Sequence, residues 1–462
     1  MKVFSFLLIL CFSHLFALGQ EAYKYYSGDA LGEDLVFLSE QLTAIHPKFL
    51  NDNFRQHWVK QFDEVKGAIT DSLTQKDFYQ LVAPLVAAVD DGHTGMSCAV
   101  NDRMQYMKNG GLSFPFFVDI KGDQLFMSHF CGEDTTLFSR GDEILQVNGV
   151  SAKELITEMR ALVGGKHARV KNTLVAYYFR TFIWMLHGFE GAYELDLKTC
   201  SGDFRQLQVN GITNQQFQKN LPKSMTSHQK QYALKTDAGK KIAHLKIGSF
   251  YDLNGFCAFA DSAFQMIAQN QVADLIIDVR GNGGGRSVVV DSLMNYLTDQ
   301  PYAQYKTIET RVSQPLLDYY SQKYPETYEE LKRQAIDFVS TVSGSRKTPH
   351  DREHRYSGRL YLLIDDQSYS AAATFAGLFR ELKLGTIIGQ ETKGTIEYYG
   401  DFWMHYLPNT QLEFYVSPKR FVQFGGTEPD RGVVPDFVQE KDPVNFTHQL
   451  IEEGRAKIIG CR

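Results

Sequence analysis

The sequence predicts an α/β protein in which a largely parallel sheet, covered by helices, follows a helical region and a smaller β-rich region. Three observations carry this. From about residue 230 apolar strands alternate with amphipathic helices, residues 33–89 repeat apolar positions at helical spacing, and residues 105–212 hold short alternating runs divided by turn signals. With 462 residues, 43% of them hydrophobic, the chain is long enough for several cored domains. A formal charge of −6 and the lack of any Lys/Arg block argue against nucleic acid or an anionic membrane surface as partner.

The opening "MKVFSFLLILCFSHLFALGQ" has one lysine, an apolar run from Val3 to Leu18 and the small-x-small site Ala17-Leu18-Gly19. This is the layout of a signal peptide over 1–19, so the expected product is exported, periplasmic or secreted, and starts at Gln20. The run is short for a span of about 20 residues. The best later candidate, "VAYYFRTFIWMLHGF" at 175–189, carries Arg180 and His187, so no stable membrane insertion is expected after cleavage. The remaining cysteines, at 98, 131, 200, 257 and 461, show no CxxC pair and no regular spacing. They form no disulfide framework, and apolar burial must hold the core.

Residues 20–104 read as a helical domain. In its third helix Phe78, Leu81, Val82, Leu85, Val86 and Val89 share one face, Thr74 and Asp77 stand at capping-box spacing, and Pro84 should kink the helix. In the β-rich domain, 105–212, an Asn148-Gly149 turn precedes a helix opened by Ser151 and Glu154. The α/β core, 213–462, contains "KIAHLKIGSF", "ADLIIDVR", "RLYLLIDD" and "LGTIIG" as strands, with helices between them. A charged stretch around 324–358 reads as a surface excursion.

Three stretches concentrate chemistry. Ser370, in "DQSYSAAATFAG", stands between an apolar strand and a helix, where it reads first as an N-cap and second as a nucleophile. In "LIIDVRGNGGGRSVVV" a strand runs through Gly281, Gly283, Gly284 and Gly285 into a helix, which leaves amides at a helix start. Arg286 breaks the dinucleotide fingerprint, and no phosphate-loop Lys-Ser/Thr follows. In "AAVDDGHTGM" Asp90 and Asp91 lie where a helix end disfavours anions, Gly92 suits the residue after that end, and His93 follows. The "HDREH" at 350–354 fits an inverted zinc-peptidase pattern, yet it sits in an unpatterned loop.

"DDGHTG", "RGDEILQVNGV", "LIIDVRGNGGG", "SYSAAATFAGLFRELKLGTIIGQETKGT" and "EPDRGVVPD" occur in the order and with the separations of the C-terminal processing, or tail-specific, serine peptidases. After residue 30 the chain resembles that family, in the branch of the tricorn core protease and the retinoid-binding protein repeats. The resemblance implies a crotonase/Clp-like α/β core, a PDZ-like domain over 105–212, whose "GLSF" at 111–114 matches a carboxylate-binding loop, and an N-terminal helical cap. It implies Ser370 as nucleophile, the N–H groups of Ala371 and Gly284 as oxyanion donors, and His93 as base. In the Ser-Lys members a lysine fills the place that Thr395 takes here, and Lys393 lies two residues away. Glu428 matches the orienting glutamate, with Asp430 as competitor, and Gly92 replaces the serine before the histidine. Peptides or unstructured protein ends are the implied substrates, with no metal or organic cofactor. The alternative is a binding module of the same fold that holds an apolar ligand or peptide without hydrolysis.

Overall fold

The computed structural model describes residues 23–98, 100–221 and 231–460; the signal peptide expected over 1–19 and Cys461 lie outside them. The N-terminal helices are Gly28–Ile45, Asp52–Ala68, Gln75–Ala87 and Asn101–Lys108. Side-chain caps start the first three, at Ser27, Asn51 and Thr74. Of the stripe expected on the third, all but Leu81 are fully buried. The turn after it is made by Asp90, in the left-handed region at φ 56°, and not by Gly92. Gly92 is needed for another reason: a Cβ there would collide with the Tyr369 hydroxyl.

Residues 116–210 form an antiparallel sheet of Phe116–Lys121, Gln124–Phe130, Glu143–Val147, Ala192–Lys198 and Phe204–Asn210, in that order. The Asn148-Gly149 turn has both φ positive, and Ser151 caps the helix Ala152–Ala161. The 20-residue helix Ala168–His187 departs from the short alternating strands expected here. It buries Val175, Phe179, Phe182 and Ile183 and stops at Gly188, φ 60°. In the "GLSF" stretch the Leu112 N–H donates to Tyr106 Oη at 2.9 Å and the Ser113 N–H to the Ile212 carbonyl at 2.8 Å. These amides are engaged within the chain.

The core sheet runs Tyr232–Asp237, Ile242–Ile247, Asp274–Asp278, Arg359–Ile364, Gly385–Gly389 and Phe437–Val438 across its width, parallel except for the first pair. Alternation serves two covered faces. Leu275, Ile277, Leu362 and Ile364 pack under helices Leu253–Gln269, Ser287–Leu297 and Ala371–Glu381, whereas Ile276, Leu363 and Ile388 face Ile451 of helix Pro443–Gly460. A second sheet pairs Tyr305–Arg311 with Val339–Ser343 and Lys419–Gln423, which in turn pairs with Glu397–Gly400. A third joins the two ends of the protein, since Gly95–Met96 pairs with Glu413–Val416, whose other side takes Trp403–Tyr406. No described helix is long and apolar enough to cross a membrane, and the four described cysteines are unbridged.

Candidate active site

Strand Arg359–Ile364 ends in a turn pinned by Ser368, whose hydroxyl donates to the Val279 carbonyl at 3.0 Å and accepts from the Asp365 N–H at 3.1 Å. Two residues later the helix Ala371–Glu381 begins. Ser370, at the junction, has φ 52° and ψ −122°, and its hydroxyl caps nothing. A β-substituted residue in that region is strained. The capping role that the sequence offers first for Ser370 is therefore not the one it fills. Two glycines let backbone approach it: a Cβ on Gly284 would lie 2.7 Å from Ser370 Cβ, and one on Gly394 would lie 3.1 Å from Ser370 N.

The glycine turn is built with positive φ at Gly281, Gly284 and Gly285. Tyr369 N–H donates to the Asn282 carbonyl, and Phe250 N–H to the Gly284 carbonyl, so the turn is locked against the Ser370 turn. The Ala371 N–H has no acceptor among the described residues, as an oxyanion donor requires. The expected partner donor differs. Gly284 N–H is held by Asn282 Oδ1 at 2.8 Å, whereas Gly283 N–H has no acceptor among the described residues.

His93 is fixed through its backbone. Asp91 Oδ1 accepts its N–H at 3.0 Å, Ser417 Oγ donates to its carbonyl at 2.9 Å, and the neighbouring Thr94 Oγ1 accepts from Ser417 N. Its ring stacks on Tyr369 with centroids 5.0 Å apart and planes at 14°, and Nδ1 lies 3.2 Å from Tyr369 Oη. Ser370 Oγ has no hydrogen bond to this ring. Burial lowers the His93 pKa, against the pull of Asp91, the Tyr399 carbonyl and Asp401. Asp90 turns away toward Lys48 and Lys171. Asp91 is buried opposite His46, 3.6 Å from its Nε2. Burial works to raise the Asp91 pKa, but His46 and the His93 N–H outweigh it and bring it to about 2.

Lys393 is only 6% exposed, and its Nζ donates to Gln367 Oε1 at 2.8 Å. Burial lowers its pKa to about 8, with Asp366 and Asp365 opposing. Glu428 is not brought to His93: it is exposed, and its carbonyl accepts from Arg431. Asp430 pairs with Lys166 at 2.6 Å and lines a cavity of roughly 150 Å³ together with Gly92, Tyr369 and Lys393. Its segment is held by Glu391, which accepts from Arg431 and the Gly432 N–H.

Sequence reasoning missed Tyr369, Asn282, His46 and Gln367. The signal for Tyr369 was its place beside Ser370; His46 carried none. Among the described residues no cluster of three or more His, Cys, Asp or Glu is arranged to hold a metal, and "HDREH" lies in a loop.

The model of peptidase family S41 matches residues 241–438. A tail-specific protease of Haemophilus influenzae is 28% identical over 166 residues, which is 35% of this chain and 19% of that protein's length. Mature CPAF has a similar fold at 15% identity, with TM-score 0.62 over 89% of this chain and 92% of that one. Mature CPAF complexed with lactacystin gives 0.63 at 15% identity, over 94% and 98%. The matched residues include the strands that carry the glycine turn and Ser370, so this part of the chain is similar to peptidase family S41, while the chain spans about a fifth of the length of the tail-specific protease it matches.

Proposed function

We propose that the protein is an exported serine endopeptidase that cleaves peptides or unstructured protein ends. The observation that carries this reading is Ser370, held at positive φ with its hydroxyl uncommitted, next to the unaccepted Ala371 N–H. Ser370 Oγ attacks the scissile carbonyl while His93 takes the hydroxyl proton. The carbonyl oxygen, now negative, is received by Ala371 N–H and by the glycine turn, through Gly283 or through Gly284 once Asn282 lets go. The protonated base gives its proton to the leaving amine, and water resolves the acyl-enzyme by the same route. For His93 to act, its ring must turn from Tyr369 toward Ser370. In this scheme Glu428 or Asp430 orients the histidine only after the loop that bears them moves. The signal-peptide layout of the first 19 residues supports export.

A second reading makes Lys393 the base, favoured by a pKa of about 8 in a lysine whose neighbour Gly394 packs on Ser370 N. The deciding assay is turnover of a fluorogenic peptide library by the purified protein, with and without chelator. The proposal expects turnover that chelator leaves intact and Ser370→Ala removes. Peptide binding without turnover would overturn it in favour of the binding module, and restoration by zinc after chelation would overturn it in favour of a metal enzyme.

A further inference from the structure

Beside His93 lies a cleft that the proposed chemistry does not use. Its volume is roughly 310 Å³, at the lower end of ligand pockets, which run from about 300 to 1,000 Å³. Tyr319, Tyr320 and Tyr324, on and just past the helix Gln314–Lys323, form one wall, and Phe402 and Trp403 form the other. Trp403 stacks on Tyr319 with centroids 4.4 Å apart, which fixes the walls relative to each other. Phe402 is 46% exposed, and its ring stacks at 6.3 Å on the His93 ring, so the cleft opens next to the candidate base. Large aromatic groups left half in water beside a reactive centre are costly unless something covers them.

From these observations we infer that the Tyr319–Trp403 cleft is the side-chain pocket that selects the substrate, and that it takes a bulky uncharged residue, aromatic or aliphatic. The inference rests on the peptidase reading above. Charge sets the choice of occupant. Lys419 and Asp401, at the cleft, neutralise each other at 2.6 Å, so a basic side chain would meet Lys419 and an acidic one Asp401, each already paired. The backbone supplies the approach. Strand Trp403–Tyr406 pairs on one side with Glu413–Val416, and among the described residues no strand pairs with its other side. An extended peptide added along that free edge would run past Trp403 toward Phe402 and His93.

The test separates binding from hydrolysis. Labelled Gly/Ser decapeptides carrying a single Phe, Lys, Glu or Ala at each position in turn are titrated against the Ser370→Ala protein by fluorescence anisotropy, and cleavage is followed with the wild type. At one position Phe should bind about tenfold or more tighter than Ala, Lys or Glu, since the cleft takes its apolar surface out of water. Thr327→Trp, which fills the cleft, and Tyr324→Ser, which opens its exposed wall, should each erase that preference while the melting temperature stays put. A preference for Lys or Glu, no preference at any position, or a Phe preference that survives both variants overturns the inference. Phe-selective binding erased by the variants but without cleavage by the wild type would leave the pocket standing and bring down the peptidase reading.

Discussion

Ser370 holds a backbone conformation that glycine adopts freely and serine does not, and its hydroxyl makes no bond that the fold depends on. Ser370→Gly should therefore raise stability, by about 1 kcal/mol in urea titration, while it abolishes turnover. A destabilised glycine variant would mean that the hydroxyl supports the fold after all. The base can be told from pH. Burial lowers His93, and a histidine must be neutral to accept a proton, so kcat/KM should rise with pH along a limb centred below about 6.5. Lys393 would place that limb near its pKa of about 8. The two expectations do not overlap, because burial outweighs the pull of Asp91 on the His93 ring. A limb near 8 that Lys393→Ala eliminates would remove His93 from the role. Ser370 and the glycines were legible because a strand, a turn and a helix are local patterns. The contact between Tyr369 and His93 was not, because it joins residues 276 positions apart.

At the scale of elements, the strands and helices of the α/β core followed from two periodicities, and the left-handed Asn148-Gly149 turn from two residue types. The helix Ala168–His187 was harder to read. Its aromatic and β-branched residues suit strands as well as helices, and the packing of Phe179 and Phe182 against the sheet decides the matter. The β-rich region also carries a functional consequence. Leu112 and Ser113 amides already donate to Tyr106 and Ile212, so no open nest waits for a chain terminus at "GLSF". Peptides with free and amidated C-termini should then be cleaved at rates within about twofold of each other, measured as kcat/KM on matched pairs. A strong preference for the free carboxylate would show that these bonds open during binding.

Over the whole molecule, the N-terminal helices and the β-rich sheet share one apolar cluster that also takes in Leu407, Leu412, Phe414 and Val416 from the far end of the chain. No sequence pattern announces a cluster assembled from segments so far apart, which is why the helical cap read as a separate domain. A fragment of residues 231–462 would expose those four side chains and lack His93. It should be insoluble or unfold without cooperativity, by light scattering and calorimetry, and should cleave nothing. A soluble fragment with a sharp transition would show that the core stands alone.

The hydrogen bond between Ser417 N and Thr94 Oγ1, next to His93, closes a loop of 323 residues. A ribosome adding about 5–20 residues per second makes His93 some 15–65 s before it makes the strand that holds it. On the reading proposed above, the nascent chain carries a half-built catalyst throughout its passage out of the ribosome, and the last hundred residues act as a timer. On that same reading, hydrolysis begins only when synthesis is nearly over.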